Sequence, residues 1–208
     1  MKYTALLSLT LGLVFLGYSG NAKTFIKTHS QPVNTNQDKN EIRLLIRQVL
    51  KWTASKSVID LHPVLSKNNI CIGFDLKKHR QNLEKLRRSG FFADEFIDNY
   101  NKIIQTLDKK IKNHKFEKWD IRELPPFNFD NDASAWCLCQ DNLSWDNVDI
   151  EVVKLSSNAG ALKWNWGKLD SGTDPSWKTF SYHFRVVKVA NRWRVSYLEG
   201  FDYKESVL

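Results

Sequence analysis

Tyr182–Tyr197 reads YHFRVVKVANRWRVSY, and this stretch decides the fold. In its first half Tyr182, Phe184 and Val186 share one parity, while His183 and Arg185 take the other. In its second half Trp193, Val195 and Tyr197 alternate with Arg194. A period of two places successive side chains on opposite faces of a strand, so each half predicts a strand with one apolar and one wet face. Aromatic and β-branched residues favour that pleated, half-buried setting. Ala190-Asn191 lies between the halves and is short enough to join them as a hairpin. The two strands are predicted over 178–189 and 192–201, antiparallel, with one face on a core.

The same alternation continues upstream. Strands are expected at 149–155 and 160–167, joined by a tight turn at 156–159 rich in Ser and Asn. Ile150, Val152, Leu162, Trp164 and Trp166 extend the apolar face, and Phe180 joins it from the third strand. Glu151, Lys163 and Asn165 extend the wet face. Ahead of these strands, 127–147 is rich in Asp and Asn and reads as loop, and Pro125-Pro126 marks the change of character.

Before the prolines the period is helical. Phe96, Ile97, Tyr100, Ile103, Ile104, Leu107 and Ile111 form a stripe at i, i+3, i+4, i+7, which predicts a helix from Asp94. Asp94 and Glu95 at its start and Lys109, Lys110 and Lys112 at its end complement the helix dipole. Asp75 is placed to cap another helix carrying Leu76, His79, Leu83 and Leu86, stopped by Ser89-Gly90. Ile42, Leu45, Ile46, Val49 and Leu50 predict a first helix over 39–54, with Asp38 and Glu41 at capping-box spacing. His62-Pro63 and Asn68-Asn69 break any long element over 55–73. Helices first and strands afterwards predict an α+β fold, with the helices packed on one face of an antiparallel sheet.

The first residues read as an export signal. Lys2 precedes an apolar run from Thr4 to Tyr18, and Gly20-Asn21-Ala22 offers small residues for cleavage after Ala22. The run is shorter than the ~20 residues that a spanning helix needs. The organisation expected is a signal peptide at 1–22, a polar leader at 23–37 and one domain at 38–208, exported to the periplasm or beyond. Net charge is +8, but the lysines are interspersed with acids such as Glu84, Asp98 and Asp108 on helix faces, the pattern of a solvated surface. Nucleic acid is therefore not an expected partner, and no membrane span is expected.

Export places Cys71, Cys137 and Cys139 in an oxidising compartment, where Cys71 is expected to bridge to Cys139 or Cys137. Zinc does not fit, because C-x-C lacks the ligand spacing and no clustered histidines complete a site. Asp130, Asp132, Asp141, Asp146 and Asp149 supply oxygen ligands but not the spacing or glycine of a calcium loop. No cofactor is expected.

Three stretches carry a family resemblance: Ser89-Gly90-Phe91-Phe92 with Glu95-Phe96-Ile97; Asn131-Asp132-Ala133 leading to Cys139-Gln140-Asp141; and Phe184–Val189 through Trp193-Arg194-Val195 to Glu199-Gly200-Phe201-Asp202. Together they resemble the NTF2-like (cystatin-like) superfamily, in particular its exported bacterial members. The resemblance implies N-terminal helices held in a cone of sheet. It leaves function open, since the superfamily includes isomerases, dehydratases and binding modules.

An NTF2-like isomerase or dehydratase would need a buried carboxylate or histidine beside a tyrosine donor. Tyr182 and Tyr197 read as inward, His183 as outward, and Glu199 shares the Tyr197 parity at the strand end. The enzyme reading thus lacks a base. The main expectation is a non-catalytic binding domain whose aromatic-lined cavity presents Trp164, Trp166, Tyr182 and Tyr197, with Gln140 and Asp141 at its mouth. Asp141 has a structural alternative as a turn former, and the inward tryptophans have one as core. Trp145 and Trp177 lie in loops and are candidates for exposed contacts. The bound species would be a small ligand. The rival is a protein partner engaged by the surface, as in immunity or inhibitor proteins.

Overall fold

The computed structural model describes residues 35–55, 61–140 and 144–208. The expected signal peptide, and the polar leader up to residue 34, lie outside the described residues. The first element, α1 (Thr35–Thr53), begins before the expected start at 39. Asp38 is consequently no cap: it sits inside the helix, is buried, and accepts hydrogen bonds from Lys188 Nζ at 2.8 Å and Trp193 Nε1 at 2.9 Å. A carboxylate at capping distance from Glu41 has been drawn instead into a tertiary contact that spans 150 residues or more.

Between the helices, residues read only as broken form a hairpin, β1 (Pro63–Leu65) and β2 (Cys71–Phe74). Alternation cannot be read in three- and four-residue strands, which explains why the sequence did not show them. Its turn places Asn69 at φ 61, a conformation that Asn tolerates better than most residues.

Asp75 caps α2 (Leu76–Ser89) as expected, accepting from the Lys77 and Lys78 backbone N–H groups at 3.0 and 3.1 Å. Gly90 ends that helix at φ 70, the left-handed conformation that a residue without Cβ adopts freely. Next, α3 (Asp94–Lys112) buries Phe96, Ile97, Tyr100, Ile103, Ile104 and Leu107, and leaves Ile111 half-buried at its end.

The sheet is antiparallel, in the order β3 (Val148–Leu155), β4 (Ala159–Trp166), β5 (Tyr182–Val189) and β6 (Arg192–Leu198). Expected and observed strands agree except before β5, where Pro175–Thr179 forms a short helix, α4, capped by Asp174, and at the end of β6, which stops at Leu198 instead of running to 201. Proline at the first helical turn and an Asp cap outweigh the aromatic alternation there. A 3-10 turn (Glu199–Phe201) and α5 (Tyr203–Ser206) close the chain. The sheet stays open. The architecture is α+β.

Helices and sheet meet on one face. Ile150, Leu162, Trp164, Trp166, Tyr182, Phe184, Val186, Trp193 and Val195 are buried there with the stripes of α1 and α3. Helix α1 is pinned to β3 by Arg47, whose guanidinium donates twice to Val148 O at 3.0 and 2.7 Å. Phe91–Ala93 lies alongside β6 in parallel: Ala93 N donates to Val195 O and Val195 N to Phe91 O, both at 2.8 Å.

One expected orientation is reversed. A bulge sets Val186 opposite Val195 but Arg185 opposite Tyr197, so Ser196 is the extra residue of β6. Beyond an inserted residue the parity flips. Tyr197 therefore faces outward and Leu198 takes the buried place, 2 % exposed. A second bulge at Val153 of β3 leaves that valine 62 % exposed.

Candidate functional site

The inward aromatics pack on one another. Trp164 stacks on Tyr182 with centroids 5.7 Å apart and stands edge-on to Trp166 at 5.2 Å. Trp145, a candidate for exposed contacts, is instead buried and stacks on Trp166 at 5.3 Å. Trp177 is half-buried against the same ring at 5.5 Å. Trp164, Trp166 and Tyr182 are 1 %, 4 % and 0 % exposed, so protein atoms cover their rings. The Tyr182 hydroxyl donates to Ala135 O at 2.8 Å and accepts from Gly200 N at 3.0 Å. Burial pushes this phenol well above its ordinary pKa. It is bound to backbone on both sides and directed at no open space.

A second aromatic group surrounds Trp136, which lies 4.6 Å from Phe201 and 5.8 Å from Phe92 by ring centroid. The void beside it, lined by Leu61, Tyr100, Phe129 and Phe201 among others, is about 10 Å³. A single water needs about that much. The chain carrying Trp136 is locked against the sheet end: a Cβ at Gly200 would stand 2.0 Å from Ala135 O, so only glycine allows this approach.

The same loop holds the cysteines. Cys137 is bonded to Cys139, with exposed Leu138 between them at φ 51, and Cys71 is a free, buried thiol. The expected bridge from Cys71 is corrected. Its Sγ donates to Gly73 O at 3.4 Å, within β2 itself. Gln140 follows the disulfide and is exposed, while Asp141 lies outside the described residues. The described loop aspartates do not gather. Asp130 accepts from Ala135 N at 3.0 Å, Asp146 pairs with Lys51 and Asp149 with Arg43, both at 2.6 Å. Among the described residues no group of three or more His, Cys, Asp and Glu side chains could hold a metal ion. Nor is any described helix long and apolar enough to cross a membrane.

The outer face of the sheet offers a different surface. A groove of about 630 Å³ is lined by Lys154, Ala161, Arg185, Ser196, Tyr197 and Glu95, with residues from all four strands. Its shape has a sequence cause. The bulged residues Val153 and Ser196 bend the strands at either side, and Ala159, Gly160 and Ala161 supply little side-chain bulk between them. The Arg185 guanidinium lies over the Tyr197 ring, 4.6 Å from its centroid, and the Tyr197 hydroxyl donates to Asp202 at 3.3 Å. Burial first, and the Asp202 carboxylate second, raise the Tyr197 pKa. Glu199 lies beside this face and accepts from the His183 backbone N–H at 2.6 Å. It does not share an interior with Tyr182.

The sequence named Arg185 as outward and Tyr197 as inward. Lys154 and Ser196 were missed, because only the bulges bring them into one groove. Comparison with protein-family models, with curated proteins and with solved structures finds no match to this chain.

Proposed function

We propose that the chain is an exported, non-catalytic binding domain of NTF2-like architecture that engages a protein partner with the outer face of its sheet. The NTF2-like reading is supported by the order of elements and by helices lying against one face of an antiparallel sheet. The observation that carries the surface reading is the groove between the two bulges, with an arginine held over a tyrosine. Arg and Tyr are the residue types on which protein interfaces concentrate their binding energy. The rival reading, a small ligand held among Trp164, Trp166 and Tyr182, is disfavoured by rings that the protein itself covers.

A photo-cross-linking residue placed at Tyr197, in chain expressed and exported by its own host, tests this. The expected result is one adduct of defined mass that does not form from the exposed Leu124 position. Arg185→Glu should weaken that adduct by about tenfold, equivalent to ~1.4 kcal/mol. Equal labelling from both positions would overturn the reading. So would a small molecule retained in native mass spectra and released on unfolding.

A further inference from the structure

A second concave surface, on the far side of α3 from its buried stripe, has a one-sided chemistry. Lys102, Lys109, Lys110 and Lys115 line a groove of about 570 Å³ together with Asn113 and Tyr203, and no carboxylate lines it. Its size falls within the ~300–1,000 Å³ range of ligand sites.

Lysines in the last turn of a helix are ordinarily explained by the helix dipole. That accounts for Lys109 and Lys110. It does not account for Lys102, more than two turns before the end of α3, or for Lys115, which lies beyond the helix. Nor are these charges neutralised: among the described residues Lys102, Lys109, Lys110 and Lys115 form no ion pair, whereas neighbouring Lys112 pairs with Asp108 at 2.8 Å. Two of them are held in place. The Lys102 ammonium sits 4.1 Å from the centroid of the Tyr203 ring, which is tethered by a 3.3 Å contact between its hydroxyl and that of Thr106. Lys110 donates to Val207 O and lies 5.1 Å from the Phe116 ring centroid. Lys109 and Lys115 remain exposed.

Four like charges gathered in a concave site repel one another, and a multivalent anion relieves that repulsion. We infer that this groove binds phosphate groups, at least two at a time, with Lys102 and Lys110 as fixed walls and Lys109 and Lys115 closing over the anion. The phosphate belongs either to a soluble polyphosphate or to a lipid headgroup. This inference does not depend on the partner surface across the sheet, and it can fail while that reading stands.

The test uses inorganic pyrophosphate and the full chain, with backbone amide shifts as readout. Saturable shifts confined to residues 102–115 and to Tyr203 are expected, weakening as salt rises. Lys109→Gln with Lys115→Gln should weaken binding by about tenfold, the sum of two modest exposed charge contacts. The thermal midpoint should not fall, because both side chains are exposed and their removal relieves like-charge repulsion. Lys77→Gln with Lys78→Gln, on α2, should leave pyrophosphate affinity unchanged. Flotation with phosphatidylglycerol vesicles then assigns the source. Vesicle binding that pyrophosphate displaces supports the inference with a headgroup as ligand, and pyrophosphate binding without flotation supports it with a soluble one. Shifts that do not saturate, or equal loss in the α2 variant, would overturn it.

Discussion

Tyr182 shows how much one hydroxyl can carry. Read from the sequence, it is an inward ring whose hydroxyl is either a ligand contact or incidental. In the fold, that hydroxyl links Ala135 O to Gly200 N at a fully buried point. Tyr182→Phe keeps the ring and orphans both backbone groups. It should cost about 1–3 kcal/mol in urea unfolding, where a purely packing tyrosine would lose almost nothing. Asp38 makes a comparable case. Burial raises its carboxyl pKa, but the hydrogen bonds from Lys188 and Trp193 outweigh that and hold it below the ordinary value. A depressed folded pKa means the ionised form stabilises the fold. That stability is complete above the ordinary carboxylate pKa, about 3.9, and disappears as pH falls through the lower folded value. Asp38→Ala should cost about 2–3 kcal/mol near neutrality, and the gap from wild type should narrow steadily below about pH 4. A constant gap in unfolding curves down to that range would contradict the assignment. Neither role was legible beforehand, because each partner is 18 or more residues away in sequence.

At the scale of elements, strong periodicity was legible and insertions were not. The α3 stripe and the alternation of β4 to β6 located those elements closely. One extra residue, Ser196, was enough to turn Tyr197 outward, and parity alone gives no sign of such an insertion. The β5–β6 turn was placed correctly, yet it is chemically imperfect. Ala190 and Asn191 have φ 48 and 60, the left-handed pair of a type I′ turn. Asn suits that region and Ala does not. Ala190→Gly should therefore stabilise the protein by about 0.5–1 kcal/mol, read as a raised thermal midpoint. A lowered midpoint would count against the turn geometry. The Cys137–Cys139 element gives a chemical count. Denatured, unreduced protein should present one reactive thiol, that of Cys71. Three thiols would mean the loop is open. So short a ring contributes only about 1–2 kcal/mol in the chain-entropy model, against the ~4 kcal/mol of the long closure expected from Cys71.

Across the whole molecule, the α+β layout could be read from the order of periods, because a change from 3.6 to 2 along the chain reflects two layers. The proposed binding surface could not, because it depends on which layer each side chain finally joins. The tryptophans that suggested a ligand cavity are core. The charges that suggested an ordinary solvated face divide into paired ones, such as Lys51 with Asp146, and an unpaired group on α3 and the chain just beyond it. The pairing of Phe91–Ala93 with β6 has a consequence for the protein in company. An uncovered strand edge is a template on which a second molecule can crystallise its own backbone, the first step toward a fibre. Here the middle of one flank, at Val195, is already occupied by the chain's own residues. The opposite flank, β3, offers a kinked strand bearing Asp149, Glu151 and Lys154, a poor seed for stacking. The open sheet can thus keep its outer face uncovered at high concentration without recruiting copies of itself edge to edge.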